Sequence, residues 1–126
     1  MSSKGKGTAA ERELQHALSR LGFAAMRIAG SGSSPLPACD VIAADGNRRF
    51  CFEVKSVNAH SLRLSNEQLE ELLFVAKRFS AVAVLAVHWE RRGWTFSSTP
   101  QDLARRPDHQ RSLEEALSEF LALPSR

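Results

Sequence analysis

Between Asp40 and Lys55 the chain sets two carboxylates and one ammonium in a pattern suited to phosphodiester chemistry. Asp40 opens the apolar run Val41-Ile42-Ala43-Ala44. A polar turn at Asp45-Gly46-Asn47 follows, and the next run, through Phe50-Cys51-Phe52, ends in Glu53-Val54-Lys55. Short β-branched and aromatic stretches on either side of a Gly/Asn turn read as two strands. Side chains alternate along a strand, so Glu53 and Lys55 share one face while Phe52 and Val54 share the other. Hydrolysis of a phosphodiester needs a more acidic water, a countercharge for the transition state and help for the leaving oxygen, all of which a divalent cation supplies. Mg²⁺ prefers oxygen ligands and keeps several waters. Asp40, Glu53 and the backbone carbonyl of Val54 would suffice to hold it, with Mn²⁺ as a substitute. Lys55 is placed to orient or activate the water, or to stabilise the developing charge.

Two further residues could complete such a site. Thr8-Ala9-Ala10-Glu11 has the form of a capping box, which predicts a helix from Thr8 to about Leu21, stopped by Gly22. Its apolar stripe is Leu14, Leu18 and Leu21, and Glu11 lies on the same face. Its carboxylate would therefore point toward the body of the protein, as an outer-shell acid holding a metal-bound water. Ser31, in the breaker-rich segment from Ala29 to Ala38, could hydrogen-bond the scissile phosphate or a water. Each residue also fits a plainer role: Glu11 as a capping partner, Asp40 as a strand cap or an ion-pair partner of Arg48 or Arg49, Ser31 as ordinary loop.

These residues need a scaffold. A short strand is predicted over 23–28. Ser65-Asn66-Glu67-Gln68 is a second capping box, opening a helix to about Phe79 with Leu69, Leu72, Leu73, Ala76 and Phe79 on its buried side. Val82 to Trp89 is almost wholly apolar, as a strand covered on both faces would be. A turn at Arg91-Arg92-Gly93 leads to a strand from Trp94 to Ser97. Ser112-Leu113-Glu114-Glu115 opens a last helix, closed by Pro124. The order α-β-β-β-α-β-β-α predicts an α/β (α+β) fold, a central mixed sheet flanked by helices.

With 126 residues the chain reads as one domain, 1–126, with a flexible basic arm over residues 1–7. No run approaches the roughly 20 apolar residues that span a bilayer. The charged N-terminus has no apolar stretch behind it, so a cytoplasmic protein without membrane partner is expected. Cys39 and Cys51 lack metal or redox spacing, and the four histidines show no ligand spacing, which argues against zinc. The net charge is +3, and Lys4, Lys6, Arg12, Arg20 and Arg27 fall in the first quarter of the chain with few acids among them. A basic arm carrying Lys4 and Lys6, with Arg12 beyond it, suits a phosphate backbone and equally fits a solvated terminus. No glycine fingerprint for a small-molecule cofactor is present.

Taken in order, Lys6-Gly7-Thr8-Ala9-Ala10-Glu11-Arg12-Glu13-Leu14, Gly22-Phe23-Ala24-Ala25-Met26-Arg27, Gly30-Ser31-Gly32-Ser33, Asp40-Val41-Ile42-Ala43 and Phe52-Glu53-Val54-Lys55-Ser56 resemble the archaeal Holliday-junction resolvases of the PD-(D/E)XK nuclease superfamily. The likeness continues through Leu64 to Gln68 and Phe74 to Phe79 and into Leu85-Ala86-Val87, about three quarters of the chain; from Gln101 onward no family pattern is recognised. The resemblance implies a restriction-endonuclease-like fold and a Mg²⁺-dependent homodimer that binds four-way DNA junctions by shape and makes paired nicks. It implies that Asp40, Glu53 and Lys55 are the nuclease core, Glu11 the helix-borne acid, Arg27 a basic residue near the site and Ser31 the loop serine. Lys4, Lys6 and Arg12 correspond loosely to DNA-contacting positions. Cys39 stands where the family often has proline before the first aspartate. Phe74, Trp89, Trp94 and Phe96 are candidates for the dimer interface, or for the core. Two other readings remain open: a different structure-specific nuclease or nickase of the same superfamily, and a DNA-junction-binding module without catalysis.

Overall fold

The structure, a computed structural model, describes residues 3–30 and 33–124, and for residues 3–6 the backbone alone. Its elements run α1 (Ser3–Arg20), β1 (Ala24–Arg27), β2 (Val41–Ala44), β3 (Arg49–Val57), β4 (Ser61–Leu62), α2 (Asn66–Arg78), β5 (Val82–Trp89), β6 (Gly93–Ser97), β7 (Ala104–Arg105) and α3 (Leu113–Ala122). Five strands form one mixed sheet in the order β1-β2-β3-β5-β6. β3 and β5 are parallel and the other neighbours antiparallel. The parallel pair requires a crossover, which α2 supplies. The mixed sheet flanked by helices is the predicted fold class.

Strand alternation sorts the interior into two cores. Val41, Phe50, Phe52, Val54, Val84 and Ala86 face α1 and α3, where they meet Leu14, Leu18 and Leu117. Cys51, Leu85, Val87 and Trp89 face α2, against Leu72, Val75 and Ala76. Phe50 stands among Phe23, Phe52 and Phe120 at ring separations of 5.8–6.0 Å. Each large apolar side chain so enclosed contributes roughly 1.5–3 kcal/mol. The β2–β3 turn is held by Asp45, whose Oδ1 accepts the N–H groups of Asn47 and Arg48, while Gly46 supplies the positive φ of 92°. The Asp45 carboxyl is thereby kept below its usual range.

The structure corrects the sequence reading at several points. α1 begins at Ser3, so residues 3–7 are helical backbone where a flexible arm was expected, and Thr8 lies inside the helix. Once a helix is nucleated, each further turn is cheap to add, even across glycines. Leu21 is exposed, and Ala10 and Ala17 join Leu14 and Leu18 on the buried stripe instead. On α2 the cap at Ser65 forms as predicted, but the buried residues are Leu72, Val75 and Ala76, with Leu73 and Phe79 outside. The run Leu72-Leu73-Phe74-Val75-Ala76 is apolar most of the way round the helix, so periodicity alone could not choose the face. Ser112 caps α3 through the Glu115 N–H. β4 and β7, which pair with each other, were not predicted; strands of two residues leave no periodic signal. Trp89 and Trp94 are core rather than interface.

Candidate active site

Asp40 sits where the chain enters β2. Its backbone extends the ladder on both sides: its N–H donates to the Phe52 carbonyl at 3.0 Å, and its carbonyl accepts from Ile28 N–H at 2.9 Å. This register brings Asp40 opposite the segment of β3 that carries Glu53 and Lys55. The Asp40 Oδ2 accepts the Val54 N–H at 2.8 Å, which fixes the carboxylate against β3. On β3, Lys55 Nζ lies 3.7 Å from Glu53 Oε2, both side chains largely buried. All four residues line one cleft of about 560 Å³.

Glu11 enters the same cleft from α1 and Arg27 from β1. Their side chains are paired at 3.2 Å and mostly buried. Arg27 therefore acts on Glu11 directly, in addition to any contact it makes with a ligand. Arg12 does not line the cleft; it is exposed one position further round α1, on a neighbouring groove. The side chains of Lys4 and Lys6, and the whole of Ser31, lie outside the described residues.

Two contributors from α2 were missed in the sequence. Gln68 and Glu71, three residues apart on one helix face, line the cleft opposite Glu11. Glu71 Oε2 accepts the Ala38 N–H at 2.8 Å, tying α2 to the segment that delivers Asp40. The available signal was this polar pair beside the buried Leu72 and Val75.

The electrostatics follow from crowding acids in a half-buried site. Glu53 is pushed up to about 7, first by burial, then by the Asp40 carboxylate and further by Glu71, against the pull of Lys55. Glu11 is also raised, by burial and then Asp40, with Arg27 opposing. Among the described residues no group of three or more His, Cys, Asp or Glu forms a metal cage. What is present is a pair of oxygen donors whose mutual repulsion a cation would relieve. Two carboxylates with backbone and water fit Mg²⁺, which retains much of its hydration.

A mixed sheet bearing an acid at the mouth of one strand and an acid and lysine on the next, within one acidic cleft, is the arrangement expected of a nuclease of the PD-(D/E)XK class. The family model described as archaeal Holliday junction resolvase (hjc) matches residues 2–123. The chain belongs to that family. The match includes the tail beyond Gln101, where sequence reading found no pattern. Crossover junction endodeoxyribonuclease Hjc of Archaeoglobus fulgidus is 37% identical over 114 residues, which cover 90% of this chain and 82% of that protein. Crossover junction endodeoxyribonuclease Hje of Sulfolobus acidocaldarius is 38% identical over 74 residues, 59% of this chain and 53% of that one. The solved structure of A. fulgidus Hjc, a Holliday junction resolvase from an archaeal hyperthermophile, matches with a TM-score of 0.67 at 40% identity, over 72% of this chain and 75% of that chain.

Proposed function

We propose that this chain is a Mg²⁺-dependent endonuclease that binds four-way DNA junctions as a homodimer and nicks opposing strands in pairs. The observation that carries the reading is the convergence of Asp40, Glu53 and Lys55 in one cleft, with the acids so crowded that Glu53 is pushed up to about 7. The names and close similarity of the curated relatives support the substrate. We place its work in the cytoplasm, where DNA is available.

Asp40 and Glu53 would hold the metal, with the Val54 carbonyl as a third oxygen and Glu11 orienting a water beyond. Once bound, the metal acidifies water and neutralises charge on the phosphate. The protein's own contribution is placement. The Val54 N–H holds Asp40 in a fixed orientation. Lys55, drawn toward Glu53, keeps its ammonium at the cleft, where it can stabilise negative charge developing on the phosphate oxygens. Arg27 holds the Glu11 carboxylate in place. The link from Glu71 to Ala38 keeps the approach to Asp40 ordered.

One such site cuts one strand, so symmetric resolution calls for two copies related by a two-fold axis. Of the four candidate interface residues only Phe74 is substantially exposed, together with Leu73 and Phe79 on α2. Selectivity for junctions would come from phosphate contacts over a shaped surface rather than from base edges.

The test is cleavage of a labelled four-way junction, with Mg²⁺ and with chelator, wild type beside Asp40→Asn, and with flap, bubble and linear duplex in parallel. Paired nicks on the junction alone, lost in Asp40→Asn while binding persists, are expected. Equal cutting of all substrates would favour a general nuclease. A wild type that binds and never cuts would favour a binding module. Sedimentation of the free protein reads the dimer.

A further inference from the structure

We infer that a second, basic groove between α1 and the start of α3 receives the phosphate backbone of a duplex arm leading away from the cleavage site. The inference rests on the proposed action on DNA and adds a surface remote from the acidic cleft.

The groove has a volume of about 560 Å³, equal to that of the active-site cleft. One wall is the α1 stripe Arg12, His16 and Arg20, spaced i, i+4, i+8 and so aligned on one helix face. The facing wall holds Arg91, in the β5–β6 turn, and Arg111, just before α3. That wall is rigidly built: Arg111 N–H donates to the Arg92 carbonyl and Trp94 N–H to the Arg111 carbonyl, each at 2.9 Å. Gly93 permits the approach, since a Cβ there would fall 1.6 Å from the Arg111 carbonyl oxygen. The backbone that carries Arg111 is thereby tied to the β5–β6 turn and the start of β6, across the groove from the α1 stripe.

The charge balance favours an anion. Two acids, Glu13 and Glu114, line the groove against four arginines. Arg20 is bonded to Glu114 at 3.2 Å, but both side chains are more than 60% exposed, so that pair is weak and exchangeable. Arg111 pairs with Glu119, itself outside the lining. Arg12 and Arg91 make no ion pair among the described residues. The floor is the buried Trp94 with His88 against its ring. Charge on the rims over an apolar floor suits a run of phosphates tracked along its length better than one enclosed small anion.

A smaller cavity of about 190 Å³, lined by Ala9, Glu13, Ser56 and His88, adjoins the groove. It shares Glu13 and His88 with the groove, and Ser56 stands on the face of β3 opposite to Lys55, so the groove lies on the other side of the strand from the cleft. From Glu11 to Arg20 the helix rises about 14 Å, which matches about four base-pair steps at roughly 3.4 Å per step along one strand.

The experiment measures binding of a fluorescent four-way junction by anisotropy across a salt series, in chelator so that nothing is cut. Each phosphate contact removed should lower the slope of log affinity against log salt by about 1, and weaken binding about 8-fold at 0.1 M salt. Arg91→Gln is expected to do this once and Arg12→Gln with Arg91→Gln about twice, while Arg91→Lys restores most of the slope. Arg78→Gln, an equal loss of charge on α2, should leave the slope unchanged. Should Arg91→Gln melt earlier than wild type, Arg12→Gln alone carries the same measurement. Wild-type slope and affinity in the groove variants, or an equal loss in Arg78→Gln, would overturn the groove while leaving junction resolution by the wild type intact. A wild type that binds no junction would remove both readings.

Discussion

Replacing Glu53 by Gln should stabilise the metal-free protein at alkaline pH, an advantage that added Mg²⁺ should largely cancel. In the folded chain the Glu53 carboxyl titrates at about 7, against an ordinary 4.5. The side chain is only 17% exposed, so solvent screens this environment weakly. At about 1.4 kcal/mol per tenfold change in the ionisation constant, the folded state penalises the ionised form by roughly 3 kcal/mol. The sign follows from proton counts. Between 4.5 and 7 the folded state keeps a proton that the unfolded state has released, so stability is full below about 4.5 and falls as pH rises through 7. Gln mimics the neutral acid and carries no such dependence. The Glu11 carboxyl is likewise held above its usual range by burial and Asp40; this acts in the same direction in both proteins and cancels in the comparison. In chelator, the advantage of Glu53→Gln over wild type should therefore grow by roughly 2–3 kcal/mol between pH 5 and pH 8, or on the order of 10 °C in Tm. With Mg²⁺ at 100 times its Kd, wild type should gain about 2.7 kcal/mol that the variant does not. Denaturant or thermal melts at the two pH values, with chelator and with Mg²⁺, read both effects. A gap between variant and wild type that stays constant from pH 5 to pH 8 would refute the argument that burial and Asp40 hold the proton on Glu53.

Three further outcomes follow from the same geometry. Glu71→Gln keeps an acceptor for the Ala38 N–H but removes a negative charge that raises Glu53, so the pH midpoint of cleavage should move down; a pH–rate profile checks this. Lys55→Ala removes the ammonium 3.7 Å from Glu53 and should slow single-turnover cleavage by about 10²-fold or more with modest loss of junction affinity, since charge stabilisation acts mainly in the transition state. Gly93→Ala places a methyl group against the Arg111 carbonyl at a φ of 88°, and should cost at least about 3 kcal/mol on denaturant unfolding; a near-native melt would show that the β6–α3 junction yields easily.

Local chemistry made much of the protein legible. The cap at Ser65, the Asp45-Gly46-Asn47 turn and the apolar run 82–89 each formed where the sequence placed them, because each rests on contacts within a few residues. The alternation of β3 put Glu53 and Lys55 on one face for the same reason, and the order of acid, acid and lysine indicated the class of chemistry before any coordinate was known. Tertiary packing decided the rest. Which face of α2 is buried depended on where the sheet lies, since the helix is apolar on too many sides to choose. The register that sets Asp40 beside Val54 depends on β1 and β3 together. Glu71 reaches Ala38 across 33 positions of chain, and the basic groove draws its walls from α1 and from the approach to α3, segments about eighty or more residues apart in the sequence. The sequence determined which charges the protein carries and how each strand presents them; only the folded chain determined which charges meet, because burial and long-range proximity are properties of the whole packed structure.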